Sequence, residues 1–267
     1  MQDLLHHPAV QAGLIPFLVA LVTAELFLRL RLSGLAVIAG FAATVYLASD
    51  FGFEPLTQAH KIVWLGIAAA ALAIPLTLLT WAHWRMLLTA LTSSATLWVM
   101  WDGLQQHTPA DAMLQGAGGA LYVGWLVFWF DGLRDKPVAA GSAGIALGLG
   151  AGITTLLITA SLLAQFSLAV GAASAAYLAL QIVSNGSLPC GRSFTLPLSV
   201  IAGLASCIAI FDAHQPWYIL PVLGLIPIAA LIPAPEKWGV RLRSLTLSSA
   251  TLSCAAGAAY LTWHPLF

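Results

Sequence analysis

The sequence predicts an all-α, polytopic membrane bundle of about ten transmembrane helices. Composition is the first reason: 60% of the 267 residues are hydrophobic and 7% are charged, against about 25% charged in a soluble domain. A water-soluble fold of this make-up would lack the polar surface to cover itself. Length is the second reason. The apolar residues gather into ten runs, each close to the roughly 20 residues that a spanning helix needs. The third is charge: nine of the ten Lys and Arg fall in every second gap between those runs.

Span 1, 10–29, is the first long apolar run. The N-terminus lacks the basic region of a signal peptide, so this run is expected to remain as a helix. Span 2, 33–49, opens close to the string LAVIAG. Span 3, 62–81, is continuously apolar from Ile62 to Leu76, which argues against the alternating strands of a membrane barrel. Span 4, 86–102, carries SSATL. Span 5, 112–131, is lean at Gly118, Gly119 and Gly124, and span 6, 138–160, has Gly144, Gly148 and Gly152 on one helical face. Span 7, 165–184, is joined by the turn-forming GSLPCGRS to span 8, 194–211. Span 9, 216–233, is punctuated by Pro221, Pro227 and Pro233, with Pro227 the best kink candidate because an interior proline removes a helix hydrogen bond. Span 10, 244–262, carries a second SSATL. No gap is long enough for a soluble domain.

Charge orients the bundle. Arg29 and Arg31, Arg85, Arg134 and Lys136, Arg192, and Lys237, Arg241 and Arg243 occupy alternate gaps, with only Lys61 on the other side. Positive loops stay cytoplasmic, which puts both termini outside and the protein in the plasma membrane, the inner one if the source is Gram-negative. Asp102, Asp212 and six of the seven histidines then lie outside. Trp64, Trp98, Trp101, Trp217 and Trp263 near outer boundaries, with Trp81, Trp84 and Trp238 near inner ones, read as interfacial belts. The net charge is zero, so no basic surface points to nucleic acid. The bilayer is the expected partner.

The chain also repeats itself weakly. LAVIAG at 35–40 recurs as LSVIAG at 198–203, and SSATL at 93–97 recurs at 248–252. Spans 2–4 thus resemble spans 8–10. The shift of six helices preserves orientation and implies a parallel repeat, with halves 10–102 and 165–263 and spans 5 and 6 (112–160) between them. The whole of 1–267 reads as a single transmembrane domain.

Candidate sites are few. Ser93, Ser94 and Thr96 lie at a depth broadly similar to that of Ser248, Ser249 and Thr251. They suit either a pathway for a small polar solute or helix-to-helix bonding. Glu25 sits four residues before Arg29, as an interfacial ion pair or a proton-coupling acid. Asp102, Asp212 and His214 at outer helix ends suit interfacial solvation or a site assembled by the fold. Gly144, Gly148 and Gly152 read as a packing face, within the chain or toward another membrane subunit through spans 5 and 6. There is no HExxH, Walker A, GxGxxG, CxxC or paired-aspartate motif, so no catalytic residue, metal or cofactor is expected. Three readings follow: a small-solute transporter or permease, a non-catalytic accessory subunit of a larger membrane complex, and an outer-face enzyme or cofactor binder.

Overall fold

The computed structural model describes residues 7–28, 32–49, 57–76, 83–159, 162–186, 188–213, 215–233, 235 and 238–264. Those residues form ten helical segments, and no strand occurs among them. In chain order they are α1 (Val10–Leu26, opening on a π-helical turn), α2 (Ser33–Ala48), α3 (Gln58–Leu76), α4 (Trp84–Leu104), α5 (Pro109–Asp131), α6 (Pro137–Thr159), α7 (Leu162–Val183), α8 (Arg192–Asp212), α9 (Ile219–Ala229) and α10 (Val240–Trp263). Five of them, α3 and α5–α8, are long and apolar enough to cross a membrane. That is the build of a multi-pass membrane protein. Helices α4 and α10 are long but less apolar, and α1, α2 and α9 are shorter.

Boundaries differ from the sequence reading for physical reasons. Helix α3 begins at Gln58 rather than 62 because Lys61 is drawn into its first turn, where it pairs with Asp102. The expected span 9 is shorter and interrupted: Ile219–Gly224 and Ile226–Ala229 meet at Leu225, where Pro227 removes one rung of the ladder, while Leu225 keeps helical dihedrals and its N–H bonds the Pro221 carbonyl (3.1 Å).

The helices run alternately between two ends. One end gathers arginines: Arg85 donates to the Phe128 carbonyl, Arg134 and Arg192 reach Asp131, and Val240 abuts Gly186. The other gathers acids, with Asp102 bonded to Lys61 and Asp212 beside Gly103. Helix α8 links them. Its 21 residues span roughly 31 Å at ~1.5 Å per residue.

Helix α8 is the axis of the bundle. Its sequence is apolar or small on every side, the pattern of a helix with no solvent face, and 94% of its most apolar stretch is buried. It packs against α3, α5, α6 and α7. Its hydroxyls cost little there because they turn back on the helix itself: Ser199 Oγ donates to the Thr195 carbonyl (2.8 Å) and Ser206 Oγ to the Ala202 carbonyl (2.8 Å). Around it, α1 and α2 lean on α7 through Ala20, Ala24, Ala36, Ala173 and Ala176, all fully buried.

The glycine face of α6 is covered by α7. A methyl group on Gly144 would stand 2.6 Å from Ser174 Oγ, one on Gly152 2.6 Å from Leu168, and one on Gly148 would collide with the Gly171 backbone. At the far end of α7 the chain turns through Asn185 (φ 55°) and Gly186 (φ 80°), and the Gly186 N–H closes a bond to the Gln181 carbonyl (2.8 Å), a six-to-one helix stop. This is the turn that GSLPCGRS forecasts.

Replacing Gly148 by Ala is expected to cost about 1–3 kcal/mol of stability through overpacking. Gly257→Ala, whose added methyl meets only Val222 at 3.8 Å, should stay within ~0.5 kcal/mol of the parent. Thermal unfolding of the two variants in one detergent checks the contrast.

Candidate functional site

Three places concentrate chemistry: a buried charge cluster at the arginine end, an ion pair at the acid end, and a cleft between α5 and α9.

At the arginine end, three helix termini converge on one guanidinium. Arg192, first residue of α8, donates from Nε to Asp131 Oδ1 (2.8 Å) at the end of α5, and from Nη1 to the Leu76 carbonyl (3.1 Å) at the end of α3. Arg192 is 6% exposed and Asp131 7%. The second Asp131 oxygen lies 3.5 Å from Arg134 Nη1. Arg85 lies on the Phe128 ring, 3.5 Å from its centroid, a cation–π contact. Sequence reasoning counted Arg192 as a loop charge and passed over Asp131. The available signal was a carboxylate closing an apolar run among arginines.

Behind the α7–α8 turn lies a smaller polar knot. Gln181 Nε2 donates to Tyr177 Oη (2.7 Å) and to the Leu188 carbonyl (2.7 Å), and Cys190 is buried beside them. Burial pushes the Cys190 thiol above its ordinary range, so it stays protonated and inert.

At the acid end, Lys61 Nζ lies 2.6 Å from Asp102 Oδ2 and 5.3 Å from the Trp98 ring centroid. Two of the outer-end candidates, Asp102 and Asp212, lie at this same end. A methyl on Gly103, next to Asp102, would stand 3.8 Å from Asp212 Oδ1. The third, His214, lies outside the described residues. Among the described residues no three His, Cys, Asp or Glu side chains converge as a metal site would require.

The hydroxyl candidates bond to different neighbours. Ser93 Oγ donates to the Ala120 carbonyl of α5 (2.9 Å), and Ser248 Oγ to Ser142 Oγ of α6 (3.1 Å). Thr96 and Thr251 are buried and donate to Thr92 and Leu247 of their own helices (2.8 Å each). Ser94 and Ser249 are exposed on the outer faces of α4 and α10. The matched strings therefore join α4 to α5 and α10 to α6. Glu25 is exposed at the end of α1, and Arg29 lies outside the described residues.

The cleft occupies about 450 Å³ between α5 and the broken α9 and is lined by Gly118, Leu121, Tyr122, Trp125, Phe211, Trp217, Leu220, Pro221, Gly224 and Leu225. Its wall holds no charged residue. Tyr122 Oη is bonded to Ser206 Oγ (3.1 Å), and Trp125 Nε1 donates to the Gly224 carbonyl (3.0 Å) at the break in α9. Pro221 was legible as one of the prolines that punctuate span 9. The cleft was not, because it needs two helices to face one another across Gly118 and Gly224.

No protein-family model matches the chain, and no match is found among the curated proteins.

Removing one partner of a buried ion pair strands the other, at about 3–5 kcal/mol. Arg192→Met and Asp131→Leu should each lower stability by that order, and the double variant should regain most of the loss. A double-mutant cycle read by thermal unfolding measures the coupling; additive effects would show that the pair does not clamp the helix ends.

Proposed function

We propose that the ten helices are ten membrane spans with both termini on the outer side, and that the protein is of permease type, acting on a neutral, largely apolar solute held in the α5–α9 cleft. The observation that carries this reading is the cleft beside a discontinuous helix. Transporters build substrate sites at such breaks, and a cavity of this size falls in the ~300–1,000 Å³ range of ligand pockets.

The topology has separate support. The arginine end and the acid end are about 31 Å apart along α8, close to the ~30 Å hydrocarbon thickness. Trp98, Trp101, Trp217 and Trp263 are exposed toward the acid end, where interfacial aromatics belong. On α1, Leu14, Leu18, Val22 and Leu26 form an exposed stripe of the kind a bilayer covers. Orientation follows from the positive-inside rule.

A second reading, an accessory subunit of a larger complex, is favoured by the hydroxyls. Ser93, Ser248 and Thr251 serve helix-to-helix bonding rather than a polar path. The glycine face of α6 is not open to a partner, so such a subunit would dock through other helices.

Two outcomes are expected. In a cysteine-free background, Gln106→Cys and Gly239→Cys, both at exposed positions, should label from opposite sides with an impermeant maleimide; labelling from one side overturns the topology. Purified protein should run as a self-contained particle and bind the neutral fluorophore N-phenyl-1-naphthylamine saturably, with binding falling at least fivefold in Gly118→Trp. Stoichiometric co-purification of another subunit with no such binding would replace the permease reading by the accessory one.

A further inference from the structure

We infer that the occupant of the α5–α9 cleft is a single hydrocarbon chain of a membrane lipid, entering sideways from the bilayer while its headgroup stays at the acid end. This rests on the permease reading only in its choice of the cleft as the binding place. Four observations point to a chain rather than a compact or polar solute.

The first is the state of the polar groups in the wall. Tyr122 Oη is engaged with Ser206, and the Trp125 indole N–H with the Gly224 carbonyl. A polar solute would lose its hydration and find both of these groups engaged, a costly exchange; the remaining polar side chain of the lining, Trp217, lies at the exposed acid end. A hydrocarbon loses nothing. No charged residue lines the wall, which matches a neutral chain.

Shape is the second. Gly118 to Trp125 covers eight residues of α5, about 10 Å along the axis, a length shorter than the ~15 Å depth of one leaflet's hydrocarbon. The groove exists because side chains are missing on its facing walls: a methyl on Gly118 would touch only Phe211, at 3.6 Å, and one on Gly224 would meet the Trp125 ring at 3.3 Å.

The third is access. Leu121 is 74% exposed and Leu225 49%, and both line the cleft, so it is continuous with the apolar surface that the bilayer covers. A chain reaches it without leaving hydrocarbon. The last is polarity along the cleft. Trp217, 68% exposed, follows α8 at the acid end, where an indole settles at headgroup level. Trp125 and Gly224 close the opposite, deeper end. A lipid seated this way keeps its headgroup at the interface.

The test is photolabelling in nanodiscs of phosphatidylcholine and phosphatidylglycerol with two probes: a phospholipid bearing a diazirine within one acyl chain, and a compact aryl diazirine. Adducts are mapped by mass spectrometry. The phospholipid should mark 118–125 and 217–225 at least fivefold above the exposed face of α1. That excess should vanish in Gly118→Trp and in the surface filler Leu121→Trp, and persist in Gly13→Trp, where an added Cβ meets nothing within 4 Å. Sizing confirms that each variant is folded, and the Leu121 variant answers should the Gly118 variant fail to fold. Cleft labelling by the compact probe alone overturns the lipid-chain inference and leaves the cleft as a solute site. Uniform labelling by both probes overturns the cleft reading as well.

Discussion

The Arg192–Asp131 pair is the constraint on which the rest of the bundle depends. It joins the first residue of α8 to the last of α5, and the same guanidinium holds the last carbonyl of α3. Burying two charges is costly, and their attraction offsets that cost only when geometry is good and the remaining donors are satisfied. Here a second guanidinium nitrogen finds the Leu76 carbonyl, and the second carboxylate oxygen has Arg134 nearby. The reward is register rather than raw stability. With its end pinned to α3 and α5, α8 cannot slide past the helices that enclose it.

Register matters because α8 has no exposed face along most of its length. Every neighbour must be shaped to it. Gly66 of α3 admits Ile201, Gly119 of α5 admits Cys207, and Gly203 of α8 itself admits Leu126 and Val123. In lipid, apolar surface gives helices little reason to prefer one another over acyl chains, so close packing and backbone approach do the work. That economy is visible throughout: alanines between α1, α2 and α7, and glycines between α6 and α7. The cleft is the exception. There α5 turns Gly118 toward Phe211 with room to spare, while Gly224 of α9 meets the Trp125 indole and closes only the inner end of the gap.

Much of the fold was legible in the sequence. Apolar runs located all ten segments, since hydrophobic length is a one-dimensional property. The turn at 186–193 was visible from its glycines and proline, and Gly186 and Gly191 do carry positive φ (80° and 68°). Helix α9 was marked as a kink candidate, though its division into two short pieces was not foreseen. The sites were less legible for a definite reason. Asp131 and Arg192 are 61 residues apart, and nothing local says that they meet. Lys61 looked like a stray charge against the positive-inside pattern until Asp102 and Trp98 closed around it. Short apolar strings also mislead about equivalence: the two SSATL copies bond to different partners, α5 in one case and α6 in the other.

The distribution of hydroxyls connects these points to function. A polar pathway needs hydroxyls whose bonding capacity faces open space. In α8 they return to their own backbone, in α4 and α10 they join neighbouring helices, and in α7 Ser174 Oγ donates to the Val170 carbonyl at 2.8 Å. At the cleft wall, the polar groups of Tyr122 and Trp125 are turned inward onto Ser206 and Gly224. Most hydroxyls among the described residues bond within the bundle, although Ser167 Oγ of α7 and Trp129 Nε1 of α5 are buried with no hydrogen-bond partner; under the proposed reading the apolar α5–α9 groove discriminates by exclusion. The lining offers a hydrocarbon four aromatic side chains, Tyr122, Trp125, Phe211 and Trp217, and Pro221 of α9. The same internal bonding that lets α8 be buried would, under the proposed reading, restrict what the cleft accepts. Both follow from a chain with only 7% charged residues, placed almost entirely at the two ends.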